Sequence, residues 1–356
     1  MNLAILAQDI HISLLDMNDA HEVARYDGFV RAHPDSTPYH LSHWGRAVEK
    51  ALRHRCCYLI AHRHRAIMGV LPLMEVQSWL FGRLLVSASL AMRAGPLVQS
   101  ETARLALDEA AWNLAQKRQI AVLEYRAPPQ LEDGWHGQSG IYANFSRALA
   151  DNSADNLKAI PRKQRAEVRR SLEFKLETKI GRDASDLAQH YHVYATSVRN
   201  LGTPVLPRAL FAALLQLYGD DADILTVSHE DQPLASVLSL YHKDRLYRHY
   251  GGGLAAARRW RANDHMYWQL MEHGRNKGLR IFDFGRSKFG TGAFDFKKNW
   301  GFSPEPLTYA LRLAEGRSAP DLNPESPRYQ LMTALWKKMP LALANVAGPI
   351  ISRHFY

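Results

Sequence analysis

The sequence predicts a mixed α/β (α+β) protein built as two repeated units, each a mixed sheet flanked by helices, followed by a helical tail. Three observations carry that prediction. Short apolar runs of strand length alternate with longer stretches of helical periodicity along most of the chain. At 356 residues there is room for two domains of ordinary size, and a hydrophobic content of 46% supplies a core for each. The halves also echo each other: helices, a hairpin, a glycine-containing turn, a helix ending in cations, then a buried strand. KRQIAVLEY (117–125) and NKGLRIFDF (276–284) align with Lys117 and Lys277 160 residues apart, and a duplication is the economical explanation. The expected domains are 1–150 and 151–314, with 315–356 as linker and tail. A cleft between two α/β sandwiches is the expected site.

Each element has its own signal. Residues 19–32 and 40–53 read as helices; in the second, Trp44, Ala47, Val48, Ala51 and Leu52 share one face. Residues 56–61 and 67–76 flank the basic turn HRHR and read as a strand hairpin. A third strand follows at 84–89, a turn at Gly95-Pro96, an amphipathic helix at 101–118 and a buried strand at 120–125. After a loop containing Pro128-Pro129, 141–149 is the last strand of this half. Ser153 opens a helix that Pro161 interrupts or restarts. A strand at 176–180, helices at 184–201 and 207–218, and three strands at 224–228, 234–241 and 246–250 come next. Gly251, Gly252 and Gly253 end this meander, a helix runs to about 277, and strands lie at 280–284 and 307–313. The segment 315–327, with Pro320, Pro324 and Pro327, reads as a linker. The tail holds Leu331, Leu335, Trp336 and the run LALANVAGPII, too short to span a bilayer. It is expected to pack on the protein, the other reading being a membrane surface beside Lys337, Lys338 and Arg353.

A net charge of +10 points to an anionic partner: nucleic acid, a phosphorylated small molecule or an anionic membrane surface. The two cysteines, Cys56 and Cys57, are adjacent and cannot frame a disulfide scaffold, so a reducing cytosol fits. MNLAILAQDI lacks the basic region and apolar length of a signal peptide. DFG at 283–285 has no HRD or VAIK companion, so a kinase is excluded. No Walker lysine follows the glycine triplet and no GxSxG is present. His62/His64 and His190/His192 have a metal-compatible spacing but no third ligand cluster, so no metal is expected.

The most informative stretch is 282–302, FDFGRSKFGTGAFDFKKNWGF. A buried strand end meets a glycine-rich turn, then an aromatic and basic run. Arg286, Lys288, Lys297 and Lys298 suit phosphates or carboxylates, and the aromatic residues would pin the loop to a core. A glycine-rich hairpin with solvated lysines reads equally well from residue types alone. The helix PRKQRAEVRRSLE (161–173), with Arg162 and Lys163 at its start, either meets RNA or anionic lipid or is a solvated face.

The order of YGGG (250–253), a helix with Asn263, Trp268 and Gly278, FDFGRS (282–287) and FDFKKNWGFSPEPLTY (294–309) resembles the FemAB/FemX family. The tail WKKMPLALANVAGPIISR (336–353) is similar to the branch of FemAB-like proteins encoded with PEP-CTERM/exosortase and exopolysaccharide loci of Gram-negative bacteria. The resemblance implies two tandem GNAT-like acyltransferase domains that transfer aminoacyl groups from tRNA to cell-envelope precursors. It implies that Lys297, in the FK…G motif, faces the donor's phosphate, with Lys298 adjacent and a role in stabilising charge on the departing group. Arg286 is then the candidate for a substrate phosphate or carboxylate. Asp283 orients it, caps the turn or accepts a proton, and Tyr250 and Ser287 line the wall. GGLAAAR (252–258) is a poor match to the Q/RxxGxG/A pyrophosphate loop of ordinary acetyl-CoA enzymes.

The leading expectation is therefore an acyl or aminoacyl transferase forming an amide on a saccharide- or peptidoglycan-type acceptor, with aminoacyl-tRNA or acyl-CoA as co-substrate and no bound cofactor. A non-catalytic module holding polyanionic polymer or RNA is the alternative, and an acyl-CoA-dependent N-acetyltransferase on a nucleotide sugar is the third. The expected location is cytoplasmic, peripheral contact to the inner membrane through 328–356 being the alternative to packing of the tail.

Overall fold

The computed structural model describes residues 10–128, 134–319 and 327–356. The N-terminal leader reading, part of the Pro128-Pro129 loop and most of the proline linker lie outside the described residues. The chain divides into two compact units. The first takes its described residues from Met1–Ser139, Leu307–Leu322 and Arg353–Tyr356, and the second from Gly140–Pro306 and Asn323–Ser352. These units differ from the sequential blocks 1–150, 151–314 and 315–356: residues 307–314, expected to close the second domain, belong to the first.

In chain order the first unit holds β1 (His11–Leu14), α1 (Ala20–Ala32), α2 (Ser42–Leu52), β2 (Arg55–Cys56), β3 (Leu59–Arg63), β4 (Ala66–Leu71), β5 (Leu73–Ser78), β6 (Gly82–Ser87), β7 (Leu97–Val98), α3 (Glu101–Lys117) and β8 (Val122–Arg126). β9 (His136–Ala148) enters the second unit, which continues with α4 (Ser153–Lys158), α5 (Arg162–Leu172), β10 (Glu177–Gly181), α6 (Ala184–Leu201), α7 (Arg208–Tyr218), β11 (Ala222–His229), β12 (Gln232–His242), β13 (Arg245–Gly253), α8 (Ala262–Asn276), β14 (Ile281–Asp283), β15 (Ser287–Lys288) and α9 (Gly292–Asn299). β16 (Pro304–Leu313) returns to the first unit, and α10 (Pro327–Lys338) and α11 (Leu341–Ser352) complete the second.

In the first unit one sheet runs β1-β3-β4-β7, and β8, β6, β5 and β2 follow one another in a second, with β16 on the other side of β8. The expected single strands at 56–61 and 67–76 are each broken in two. Pro72 stands at the second break with no amide to donate, so β4 and β5 serve different sheets. In the second unit the order is β10-β11-β12-β13-β14-β9. Local signals account for the helix ends. Ser100 accepts from the Ala103 amide at the start of α3, and a capping box at Asp183 opens α6, which stops at the left-handed Gly202.

The duplication is visible in the topology. β6 pairs in parallel with β8 across helix α3, and β13 pairs in parallel with β14 across helix α8. After each helix comes one residue with positive φ, Gln119 (54°) and Gly278 (76°). The structural offset is thus 159 residues rather than 160, and it places Glu124 opposite Asp283.

Two further readings change. The glycine triplet ends the meander as the last three residues of β13, three residues beyond the expected strand end. A Cβ on Gly252 would fall 2.3 Å from Ser197 Oγ, and one on Gly253 2.3 Å from Asn263 Oδ1. These glycines let α6 and α8 lie close on the strand. The run FDFKKN is a helix, α9, capped by Thr291, whose side chain accepts from the Phe294 amide. Phe294, Trp300 and Phe302 join Phe145, Phe282 and Phe284 in the second unit's core. The tail packs on its own unit through Ala344, Gly348 and Ser352, where a Cβ on Gly348 would fall 2.7 Å from the Val205 carbonyl.

Candidate functional site

The site grows from the place where β13 and β14 part. Their parallel pairing covers only Arg245↔Ile281, Leu246↔Phe282 and Tyr247↔Asp283. β13 then continues along β12, whose register slips between Leu238 and Ser239: Leu238 faces Tyr250 and Ser239 faces Arg248, leaving His249 as the extra residue of a bulge. A bulge bends its strand and re-aims side chains. On the other side, the chain after Asp283 turns at Gly285 (φ 75°) and re-pairs as β15 with Tyr142 and Ala143 of β9.

Four cations meet at this fork. Arg248 donates to the Tyr267 hydroxyl (2.9 Å) and the Gly251 carbonyl (3.3 Å). The Arg286 guanidinium lies 4.6 Å from the centre of the Tyr142 ring, and Lys288 Nζ lies 5.6 Å from the same ring. Lys297 reaches in from α9. Their charges act on one another. Burial pushes the Lys297 ammonium well below its ordinary value, Arg248 and Arg286 push it further, and Asp283 partly opposes them. Burial and then Arg286 lower Lys288. His249, on the bulge, is held down at about 3 by burial and by the same two arginines. A neutral imidazole with so low a pKa is a poor proton acceptor.

The expected residues fall into distinct positions. Lys297, expected to face a phosphate, is only 4% exposed. Its Nζ donates to the carbonyls of Gly285 (2.8 Å) and Arg286 (2.9 Å), so it fixes the turn that carries Arg286. Asp283 is buried and accepts from the Gly285 amide (2.8 Å), Asn144 Nδ2 (3.2 Å) and Arg245 (3.4 Å). It caps the turn and pairs with Arg245. Ser287 is buried in β15 opposite Ala143. Lys298, one position round α9 from Lys297, lies 5.8 Å from the Phe294 ring and outside the fork. Tyr250 packs against Phe211 (5.1 Å) and Tyr194 (5.9 Å), with its hydroxyl buried and unpartnered. Arg162 and Lys163 stand exposed at the start of α5, a helix tied to α8 by Glu167–Arg261 (2.7 Å) and Gln164–Asp264 (2.5 Å), and among the described residues no ion pair or hydrogen bond joins them to the fork.

Sequence reasoning missed Arg248, Tyr142 and Asn144. Arg248 directly precedes the singled-out YGGG run by two residues, but only the bulge turns it toward the fork. Tyr142 and Asn144 come from a strand more than 130 residues away in sequence.

An acyl-CoA donor needs a cradle for its pyrophosphate. The turn from Leu254 to Arg261 holds no glycine, and the glycines before it meet Ser197, Asn263 and Val237. Asp264 occupies the first turn of α8, its carboxyl raised to about 6 by burial. A carboxylate there opposes phosphate at that helix start. This turn lacks the glycine pattern of the coenzyme's loop.

Residues 158–298, all within the second unit, match the model of the acetyltransferase (GNAT) domain. No curated protein matches the sequence. Among solved structures, FemX is similar at a TM-score of 0.66 and 16% identity, covering 87% of this chain and 98% of its own. The C-terminal domain of a putative lysylphosphatidylglycerol synthetase from Agrobacterium fabrum follows at 0.56 and 14%, covering 89% and 96%. A tandem GNAT protein from the clavulanic acid biosynthesis pathway is similar at 0.53 and 14%, covering 87% and 100%. The fold is that of GNAT acyltransferases, mixed sheets flanked by helices in a tandem arrangement. Within that class, the chain is similar in fold to FemX over nearly the whole FemX length.

Proposed function

We propose that the protein is an acyltransferase that forms an amide bond using an aminoacyl donor carried on a phosphate-bearing polymer, tRNA being the donor of that chemistry. The observation that carries this is the fork of β13 and β14, where Arg248, Arg286, Lys288 and the buried Lys297 gather beside Asp283, close enough that the arginines depress the two lysines. Such a cluster is relieved by an anion. Arg286 and Lys288 hold the donor phosphate. Lys297 keeps the turn in place and lends charge to the departing group. FemX and the lysylphosphatidylglycerol synthetase domain support an aminoacyl group, and the missing glycine pattern of the coenzyme's loop tells against acyl-CoA. The acceptor in this reading is a cell-envelope or exopolysaccharide precursor at the cytoplasmic side of the membrane, as in the PEP-CTERM/exosortase-associated branch.

The test compares binding of aminoacyl-tRNA and of acetyl-CoA by wild type and by Arg286→Ala/Lys288→Ala, followed by transfer of labelled amino acid to an extract of envelope precursors. Wild type should bind and discharge aminoacyl-tRNA, and the double variant should lose both. Tight acetyl-CoA binding would favour the nucleotide-sugar N-acetyltransferase instead. A second reading, a non-catalytic polyanion binder, draws on the exposed cations Arg162, Lys163, Arg169 and Arg170 of α5. It predicts RNA binding that survives loss of Arg286 and Lys288, because many cations share the affinity.

A further inference from the structure

We infer that the outer face of α10 and α11 is a docking surface for an anionic lipid membrane. This goes beyond the transfer reaction and does not depend on it. The observation is an amphipathic helix seated the wrong way round. α11 faces its own unit with small residues, Ala344, Gly348 and Ser352. Its large aliphatic residues point out: Leu343, Val346 and Ile350 are 58%, 68% and 57% exposed. Their spacing of three and four places them in one stripe. Leu335 (61%) and Met332 (39%) extend the apolar surface along α10. Leu201 (68%) adds to it from the end of α6, where the space beside Gly202 is occupied by Thr333 and Lys337. A helix that only had to cover a core would bury its leucine and isoleucine and expose its alanine and serine.

Charge selects the occupant. Residues 327–356 contain Arg328, Lys337, Lys338 and Arg353 and no Asp or Glu. Lys337 and Lys338 are exposed where α10 gives way to α11. A second copy of the chain would bring this cationic rim against itself across a two-fold axis, which disfavours self-association. An anionic headgroup layer complements the cations while its acyl boundary takes the aliphatic stripe. Among the described residues no helix is long and apolar enough to cross a membrane, so the mode is attachment in the plane of the interface.

The test is co-sedimentation of the full chain with vesicles of equal parts phosphatidylglycerol and phosphatidylcholine, and with phosphatidylcholine alone. Binding is expected to the mixed vesicles, and much weaker binding to the neutral ones or in high salt. Leu343→Ser/Val346→Ser/Ile350→Ser should weaken binding on the order of a hundredfold, with its thermal transition kept, since all three side chains are exposed. Lys337→Glu/Lys338→Glu should abolish the preference for anionic vesicles and tests the idea independently should the serine variant fold poorly. No binding to either vesicle overturns the proposal, as does undiminished binding by both variants. A dimer in light scattering that the serine variant dissolves overturns it too, making this face an interface between copies.

Discussion

Replacing Lys297 with methionine asks whether this side chain is a pin in the fold before it is anything else. Its ammonium donates to two backbone carbonyls, of Gly285 at 2.8 Å and Arg286 at 2.9 Å. Hydrogen bonds from a charged donor contribute about 1.5–3 kcal/mol each, so the pair contributes roughly 3–6 kcal/mol. Methionine fills a similar volume and escapes the several kcal/mol that burying an ammonium costs. The balance is a loss of about 2 kcal/mol, or roughly 4–8 °C in the transition of a unit this size. Thermal and urea unfolding followed by circular dichroism measure it. The pH dependence supplies a second check. Because burial and the neighbouring arginines depress the Lys297 pKa, the unfolded chain binds a proton that the folded chain has released. Wild-type stability should therefore rise relative to the methionine variant as pH climbs toward the ordinary lysine value of 10.5, by up to about 1.4 kcal/mol per pH unit. A variant as stable as wild type at neutral pH, with a parallel curve above it, would refute the pinning role.

Two other outcomes follow from the packing of the second unit. Gly252→Ala drives a methyl group to 2.3 Å from Ser197 Oγ and 2.5 Å from its Cβ; it should cost about 1–3 kcal/mol, and adding Ser197→Gly should recover part of that in a denaturation series, whereas a harmless alanine would show that the triplet is not a packing device. His190 is fully buried, bonds to Ser236 Oγ at 2.9 Å and is held at about 3 by burial and Arg248. Its unfolded form takes up a proton below about pH 6.5, so stability should fall with pH by up to about 1.4 kcal/mol per unit, and the fall should be shallower in His190→Gln; equal slopes would remove His190 from the acid response.

The order of helices and strands was legible from local signals: the apolar face of 40–53, the apolar runs of β11 and β12, and, at the helix ends, residues suited to caps such as Ser100, Asp183 and Gly202. The repeat was legible because its helix-to-strand turns keep the same length. What escaped depends on register. Residue types drew attention to Arg286 and Lys297, but nothing local says that Lys297 turns inward while Lys298 turns out. That follows from the capping of a short helix by Thr291. Nor does the alternation of β13 reveal its bulge, since an extra residue shows only when two strands are laid side by side.

The two copies treat the charges at this fork differently. In the first unit β5 and β6 pair in unbroken register from Leu73↔Ser87 to Ser78↔Gly82. The acid at the equivalent position, Glu124, is paired within its own strand to Arg126 at 3.1 Å. Arg126 also donates to the Ala91 carbonyl at 2.7 Å and lies 5.6 Å from the centres of the Tyr309 and Tyr356 rings. That cation is neutralised, bonded and roofed by its own unit, as a structural residue should be. In the second unit the corresponding strand is bulged, and the corresponding acid bonds the Gly285 amide of its own loop, Asn144 and Arg245, beside the cations Arg248, Arg286, Lys288 and Lys297. One scaffold has thus resolved the same fork in two ways. Packing explains the first, and in the second the crowding of cations is the feature on which the proposed anionic donor rests.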